Sequence, residues 1–286
     1  MTWLSIALVG IGVGDVVRSM AWRPGRLVAH VATPVVILAV GLLAGLHTAV
    51  DLVALLVAAA VGALWAELAR HTQQTGRRAL APLTAFAVLV VGLLAFSGAA
   101  SPAGGPLATW LAWADLPGNG GLPPGRVLLL VGLVLFNVAT ANTIVRLVLL
   151  AIGALRPSDV TAANAAAAAA ASLTGRAAPP VSGQPADRLK GGRLLGPMER
   201  IVILGLGLAG EFGAAGLVIA AKGLLRFPEI QAAARSASGD PADPANPTLA
   251  ASYPGGPAGI DDVTEYFLVG SFVSWLVALG SLALTA

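Results

Sequence analysis

Two sets of side chains in this sequence have the types and spacing to do chemistry. The first lies in "RLLGPMERIVILGLGLAGEFGAAGLVIAAKGLLRF", Arg193 to Phe227, where Arg200, Glu211 and Lys222 recur at steps of eleven. Eleven steps of about 100° return nearly to the starting direction, so one uninterrupted helix aligns these residues, each step rising about 16 Å. Glu211 then sits at mid-depth of a membrane. A carboxylate there costs several kcal/mol if it faces lipid. It must meet protein, water or a counter-charge such as Arg146, or hold a proton, and such a group is suited to ion or proton movement. The second set is Asp15, His30 and Glu67, with Arg18, Arg70, Arg146, Glu199 and Arg200 expected at similar depth. Converging in one pocket, they could bind a phosphate headgroup, conduct protons, or orient water for hydrolysis with His30 or Glu67 as general base. The plainer reading is mutual pairing of Asp15, Glu67 and Arg146, with Arg18, Arg70 and Arg200 as surface topology signals.

The elements that must position these residues are apolar helices. Of 286 residues, 57% are hydrophobic and 11% charged, whereas soluble domains carry about a quarter charged residues; mean hydropathy is +0.83. Seven apolar segments are expected at roughly 3-20, 27-46, 50-69, 79-98, 127-153, 199-225 and 263-285, each long enough to cross a hydrocarbon layer about 30 Å thick. Segments two and three are separated only by "LHTAVD", so they form a tight hairpin or a re-entrant unit. The fold class expected is an all-α, polytopic transmembrane bundle. Its parts are an N-terminal five-span part (1-153), an Ala-rich loop and linker (154-197), and a two-helix C-terminal part (198-286) with an outer loop over 227-261. Cys is absent, which excludes disulfides and thiolate chemistry. A net charge of +3 is too small and dispersed for nucleic acid. The first segment, with Asp15 inside it and no preceding basic residue, reads as a spanning helix, not a signal peptide.

Orientation follows from Lys and Arg in the connections. An N-outside, C-inside arrangement places twelve of them inside and four, Arg126, Lys222, Arg226 and Arg235, outside. Trp110 and Trp113, between Gly and Pro clusters, mark an interfacial helix on the outer side. Gly205, Ala209, Gly213, Gly216 and Ala220 form a small-residue seam opposite the charged line. Gly270, Ser274 and Ala278 make the last segment its natural partner. Lys222 and Glu265 are expected to pair near the outer surface.

The pieces "GRLLGPMERIVIL", "GEFGAAGLVIAAKGLLRF" and "TEYFLVGSFVSWL" resemble a bacterial membrane family known only as a domain of unknown function and often encoded beside SatD-like proteins. The resemblance covers the last ninety or so residues and implies that Arg193, Glu199, Arg200, Lys222, Arg226, Glu265 and Tyr266 are signature positions. It also implies an N-terminal His/Asp set able to hold a divalent metal. This chain keeps Gly14, Asp15 and His30, has Ile11 at the first His position, carries Glu67 where the family has Asp, and has neither His nor Asp in segment four. No metal or cofactor is therefore expected, and enzymatic activity is disfavoured.

Three functions are weighed. The leading expectation is an assembly or regulatory membrane subunit, whose charges fix helix register and whose Ala-rich loop meets a cytoplasmic protein or a second copy. The alternatives are an ion or proton conductor using Glu211 and an enzyme acting on a phosphorylated lipid headgroup. The expected setting is the bacterial inner membrane, with the bilayer and its phospholipid headgroups as partners.

Overall fold

The computed structural model describes residues 1–20, 25–114, 121–157, 192–237 and 260–285, and among them the chain is helical, with no strand. The N-terminal helix α1 (Thr2–Ser19) is the axis of the molecule, buried along most of its length. Its neighbours are α2 (Gly25–Leu43), α3 (Ala49–Thr75), α4 (Leu80–Ala95) and a long, continuous helix. That helix runs as α6 (Pro124–Leu135), a π turn (Phe136–Thr140) and α7 (Ala141–Ala151). The short α5 (Gly105–Ala114) turns Trp110 and Trp113 outward. At ten residues it spans only about 15 Å and cannot cross a bilayer.

The glycines of α1 explain how one helix serves so many neighbours. A Cβ on Gly12 would lie 2.6 Å from Leu135 Cβ and 3.3 Å from the Phe136 backbone nitrogen. A Cβ on Gly10 would lie 2.3 Å from Ile37. Lipid is as apolar as leucine, so helices in a bilayer gain by this close backbone approach rather than by leaving water.

The C-terminal helices depart from expectation. The segment 199–225 is not one helix: α8 (Gly192–Leu208) ends at a turn, and α9 (Phe212–Ala237) runs back along it. Gly210 makes the reversal with φ +80°, a conformation that costs glycine little and other residues more. The Glu211 amide closes the turn onto the Leu206 carbonyl at 2.8 Å. The last helix is α10 (Ile260–Ala283).

This reversal changes the sidedness. One end of the bundle gathers Met1, the α2–α3 turn, α5, the start of α6, the α8–α9 turn and the end of α10. Trp3 Nε1 donates to Asp51 Oδ1 at 2.7 Å, and the Ser101 amide reaches the same oxygen at 3.2 Å. The Gly104 amide donates to the Ala44 carbonyl at 2.8 Å, Arg126 Nη2 lies 3.5 Å from the Thr285 carbonyl, and Gly207 abuts Leu282. The opposite end gathers the α3–α4 turn, the residues after α7, and Tyr266 and Val269 of α10, which join Ala79, Leu149, Leu150 and Leu155. The two chain ends thus lie at the same end of the bundle, whereas an N-outside, C-inside chain needs them at opposite ends.

Among the described residues, four helices are long and apolar enough to cross a membrane: Thr2–Ser19, Ala49–Thr75, Pro124–Ala151 and Tyr266–Ala283. Shorter apolar helices cover His30–Leu43, Leu80–Ala95 and Phe212–Leu224. Exposed Val53, Val88, Val91, Leu217, Leu224 and Phe272 give the outer faces a character that suits lipid better than water.

The expected small-residue seam is open. Gly205, Gly213 and Gly216 have no neighbour within 4 Å of an added Cβ, and the α10 face carrying Ala278 packs instead on Ile203 and Ala215. Gly12→Ala is therefore expected to destabilise by about 1–3 kcal/mol through overpacking. Gly205→Ala should be neutral or stabilising by up to about 1 kcal/mol through helix propensity. Thermal melts of both variants in one detergent would check this, and equal losses would contradict the packing described.

Candidate functional site

The most elaborate polar centre is built around Arg200, which is 1% exposed. Its construction begins at the π turn. Widening the turn there releases backbone carbonyls from the regular ladder, and buried carbonyls require donors. Arg200 Nε supplies one to the Asn137 carbonyl at 2.9 Å. Nη1 donates to Ser274 Oγ at 2.9 Å, and Nη2 to Asn142 Oδ1 at 2.5 Å. Asn137 Nδ2 closes the arrangement through the Leu133 carbonyl at 2.9 Å and Ser281 Oγ at 2.8 Å. One guanidinium therefore joins α8, α10, the π turn and the start of α7.

Glu199, next to it, is also buried and faces the other way. Its Oε2 forms an ion pair with Lys222 of α9, and its Oε1 accepts from Trp275 Nε1 of α10 at 2.9 Å. The Lys222 ammonium lies 5.9 Å from the Trp275 ring centre, within cation–π range. Lys222 thus meets Glu199. The side chain of Glu265, its expected partner, lies outside the described residues.

The remaining sequence candidates form separate groups. Asp15 Oδ1 pairs with Arg18 at 3.0 Å, its Oδ2 accepts from Trp65 Nε1 at 3.3 Å, and Thr140 lies against the carboxylate. His30 Nε2 meets Glu67 Oε2 at 2.6 Å, and Arg70 forms an ion pair with Glu67 while donating to Gln74 at 2.9 Å. Trp65 and Glu67, two positions apart on α3, address different neighbours, so Asp15 does not join His30 and Glu67. Arg146 is exposed on α7, one turn from Asn142, with no ion pair among the described residues. Glu211 is exposed in the α8–α9 turn, not buried at mid-depth. That removes the polar line of Arg200, Glu211 and Lys222, since the three lie on two antiparallel helices and the turn between them.

The arrangement is chemically conservative. Among the described residues no three His, Asp or Glu side chains converge as a metal site requires. Asp15, Glu67, Glu199 and Arg200 each hold partners from other helices, which orients helices rather than reactants. Sequence reasoning missed Trp65 and Trp275 as partners of Asp15 and Glu199, and read Ser274, which accepts from Arg200, only as a small packing residue. The polar Asn137, Thr140 and Asn142 within an apolar run were the signal for an interruption there.

Breaking one side of a buried ion pair costs about 3–5 kcal/mol, while replacing both sides together is often nearly neutral. Lys222→Met is accordingly expected to destabilise by about 3 kcal/mol, with Glu199→Gln in the same chain restoring most of the loss. Equilibrium unfolding of the two single variants and the double variant gives the coupling; additive losses would contradict the pair. Comparison with family models, with curated proteins and with solved structures finds no match for this chain.

Proposed function

We propose that this chain is a multi-pass membrane protein that acts as an assembly or regulatory subunit, with the π-turn end of its chemistry devoted to architecture. The observation that carries this reading is the commitment of the buried charges. Glu199 is held by Lys222 and Trp275, and Arg200 donates to three acceptors within the same bundle. Conduction through Glu211 loses its support, because that side chain is exposed at a turn. The lipid-enzyme reading loses its convergent Asp15, His30 and Glu67.

Orientation follows from the charge bias once α9 is placed antiparallel to α8. With the α3–α4 turn facing the cytoplasm, that side holds Arg18, Arg23, Arg26, Arg70, Arg77, Arg78, Arg156, Arg176, Arg188, Lys190, Arg193, Arg226 and Arg235 by chain segment. The other side holds Arg126 alone, and Arg146, Arg200 and Lys222 remain within helices. Thirteen against one is a stronger bias than twelve against four. Both chain ends are then outside, and the two longest connections, 158–191 and 238–259, leave from the cytoplasmic side together. A cytoplasmic protein partner meeting these connections, in the bacterial inner membrane that the family resemblance implies, is the function that fits best.

Because the chain lacks Cys, single cysteines report cleanly on sidedness. His47→Cys and Glu211→Cys are expected to react with an impermeant maleimide from outside intact cells, and His71→Cys only after permeabilisation. An unreactive Glu211→Cys beside a reactive His47→Cys would return Glu211 to the bilayer interior. For function, replacing 161–182 with a Gly/Ser segment of equal length should abolish a higher-mass complex in native electrophoresis of host membranes. The melting temperature should stay unchanged. Persistence of the complex, or a wild-type chain that migrates alone, would contradict the subunit role.

A further inference from the structure

The turn between α3 and α4 is built to hold two arginines still. Gly76 ends α3 in the left-handed conformation, φ +72°, with its amide on the Thr72 carbonyl at 2.8 Å. Thr75 Oγ1 accepts from the Arg77 amide at 3.3 Å, Thr72 Oγ1 donates to the Arg77 carbonyl at 3.2 Å, and the Ala81 amide donates to the Arg78 carbonyl at 2.9 Å. Arg78 itself has φ +54°, and among the described residues it alone has a positive φ without being glycine. Gly or Asn would fill that position at lower conformational cost. A general excess of cytoplasmic charge needs arginines somewhere in the loop, not a strained one at this position.

The turn also has a distant neighbour. Gly76 packs so closely on Pro157 that a Cβ there would lie 2.5 Å from Pro157 Cγ. The chain at Arg156 is thereby brought against the turn that carries Arg77 and Arg78, and all three residues are exposed. Neither Arg77 nor Arg78 has an ion pair or a side-chain hydrogen bond among the described residues. Buried Ala79, Leu149, Leu150 and Leu155 support the patch from below, and exposed Leu80 and Ile152 border it on the side of the bundle. The exposed Arg77 and Arg78, neighbours on one turn, repel each other until an anion lies near them, and a phosphate accepts paired N–H donors from a guanidinium. Cationic side chains above exposed leucine and isoleucine match a molecule that is anionic at one end and apolar at the other.

We propose that Arg77, Arg78 and Arg156 form a binding site for the phosphate of an anionic lipid headgroup, with its acyl chains along Leu80 and Ile152. The proposal rests on the membrane reading but not on the orientation, because it is tested in detergent, where sidedness has no effect. The full chain in a neutral detergent is titrated with phosphatidylglycerol, phosphatidylcholine or inorganic phosphate, following melting temperature and lipid retained in native mass spectrometry. Phosphatidylglycerol is expected to bind and stabilise, with the other two doing neither. Losing one charge-assisted contact should raise its Kd roughly tenfold in Arg78→Gly and in Arg156→Gln. Arg78→Gly relieves the left-handed strain, so its lipid-free melting temperature should not fall, which separates lost binding from lost folding. Arg188→Gln with Lys190→Gln removes two charges from the connection after α7 and should leave the Kd unchanged. Equal binding of phosphatidylcholine, or an equal loss in that control, would overturn the site. Stabilisation by inorganic phosphate alone would overturn its assignment to lipid.

Discussion

A guanidinium cannot be left in an apolar interior without acceptors, and the C-terminal half of this molecule is organised by that requirement at Arg200. Its donors need oxygens from several directions at once. Most main-chain carbonyls of a regular helix are already engaged along its axis by the backbone ladder. The π turn at Phe136–Thr140 releases one, from Asn137, and Ser274 and Asn142 supply the others. The position of α8 against α7 and α10 follows from these three bonds more than from apolar contact, which in a bilayer discriminates poorly between neighbours.

Glu199 extends the same constraint outward. Its carboxylate lies on the face of α8 that Arg200 does not use, where Trp275 and Lys222 approach it from α10 and α9. Two adjacent residues of opposite charge thus give α8 two different sets of neighbours. Much of α9 is exposed, including Phe212, Gly213, Leu217 and Leu224. Among its described side chains, Ala215, Val218 and Ile219 pack in the small cluster with Ile203 and Ala278, and Lys222 adds its ion pair.

Much of the N-terminal half was legible in the sequence. Long apolar runs give the helices, and Trp110 and Trp113 mark a short helix apart from the spans, whereas the close approaches at Gly10 and Gly12 emerge only from the structure. The first five apolar segments coincide with helices to within a few residues, because length and composition along the chain define an apolar helix, whereas 199–225 divides into two. The grouping of polar residues was less accessible. Asp15, His30, Glu67 and Glu199 fall at comparable depth by counting, yet counting gives no azimuth. Depth alone cannot distinguish one shared pocket from the separate pairs that the helices make. Trp65 and Trp275 are invisible to a search for charges, although their N–H groups satisfy Asp15 and Glu199.

The turn at Gly210 was hidden by an argument that also contained its refutation. Steps of eleven align Arg200, Glu211 and Lys222 on any helix, and the hydropathy of the segment is high enough to suggest one span. An uninterrupted helix would separate Glu199 from Lys222 by about 35 Å, while the ion pair brings them into contact. The chain must reverse near the midpoint between them. The midpoint is marked by Gly205, Gly207 and Gly210, three poor helix formers within six residues, followed at once by Glu211. Reading Glu211 as a buried group requires a counter-charge, a proton or water at that depth. Reading it as the exposed tip of a hairpin requires only that the preceding glycine take φ +80°. The large cost of a mid-depth carboxylate is therefore better evidence for a turn than for a functional acid, and the turn sends α9 back along α8, where Lys222 meets Glu199.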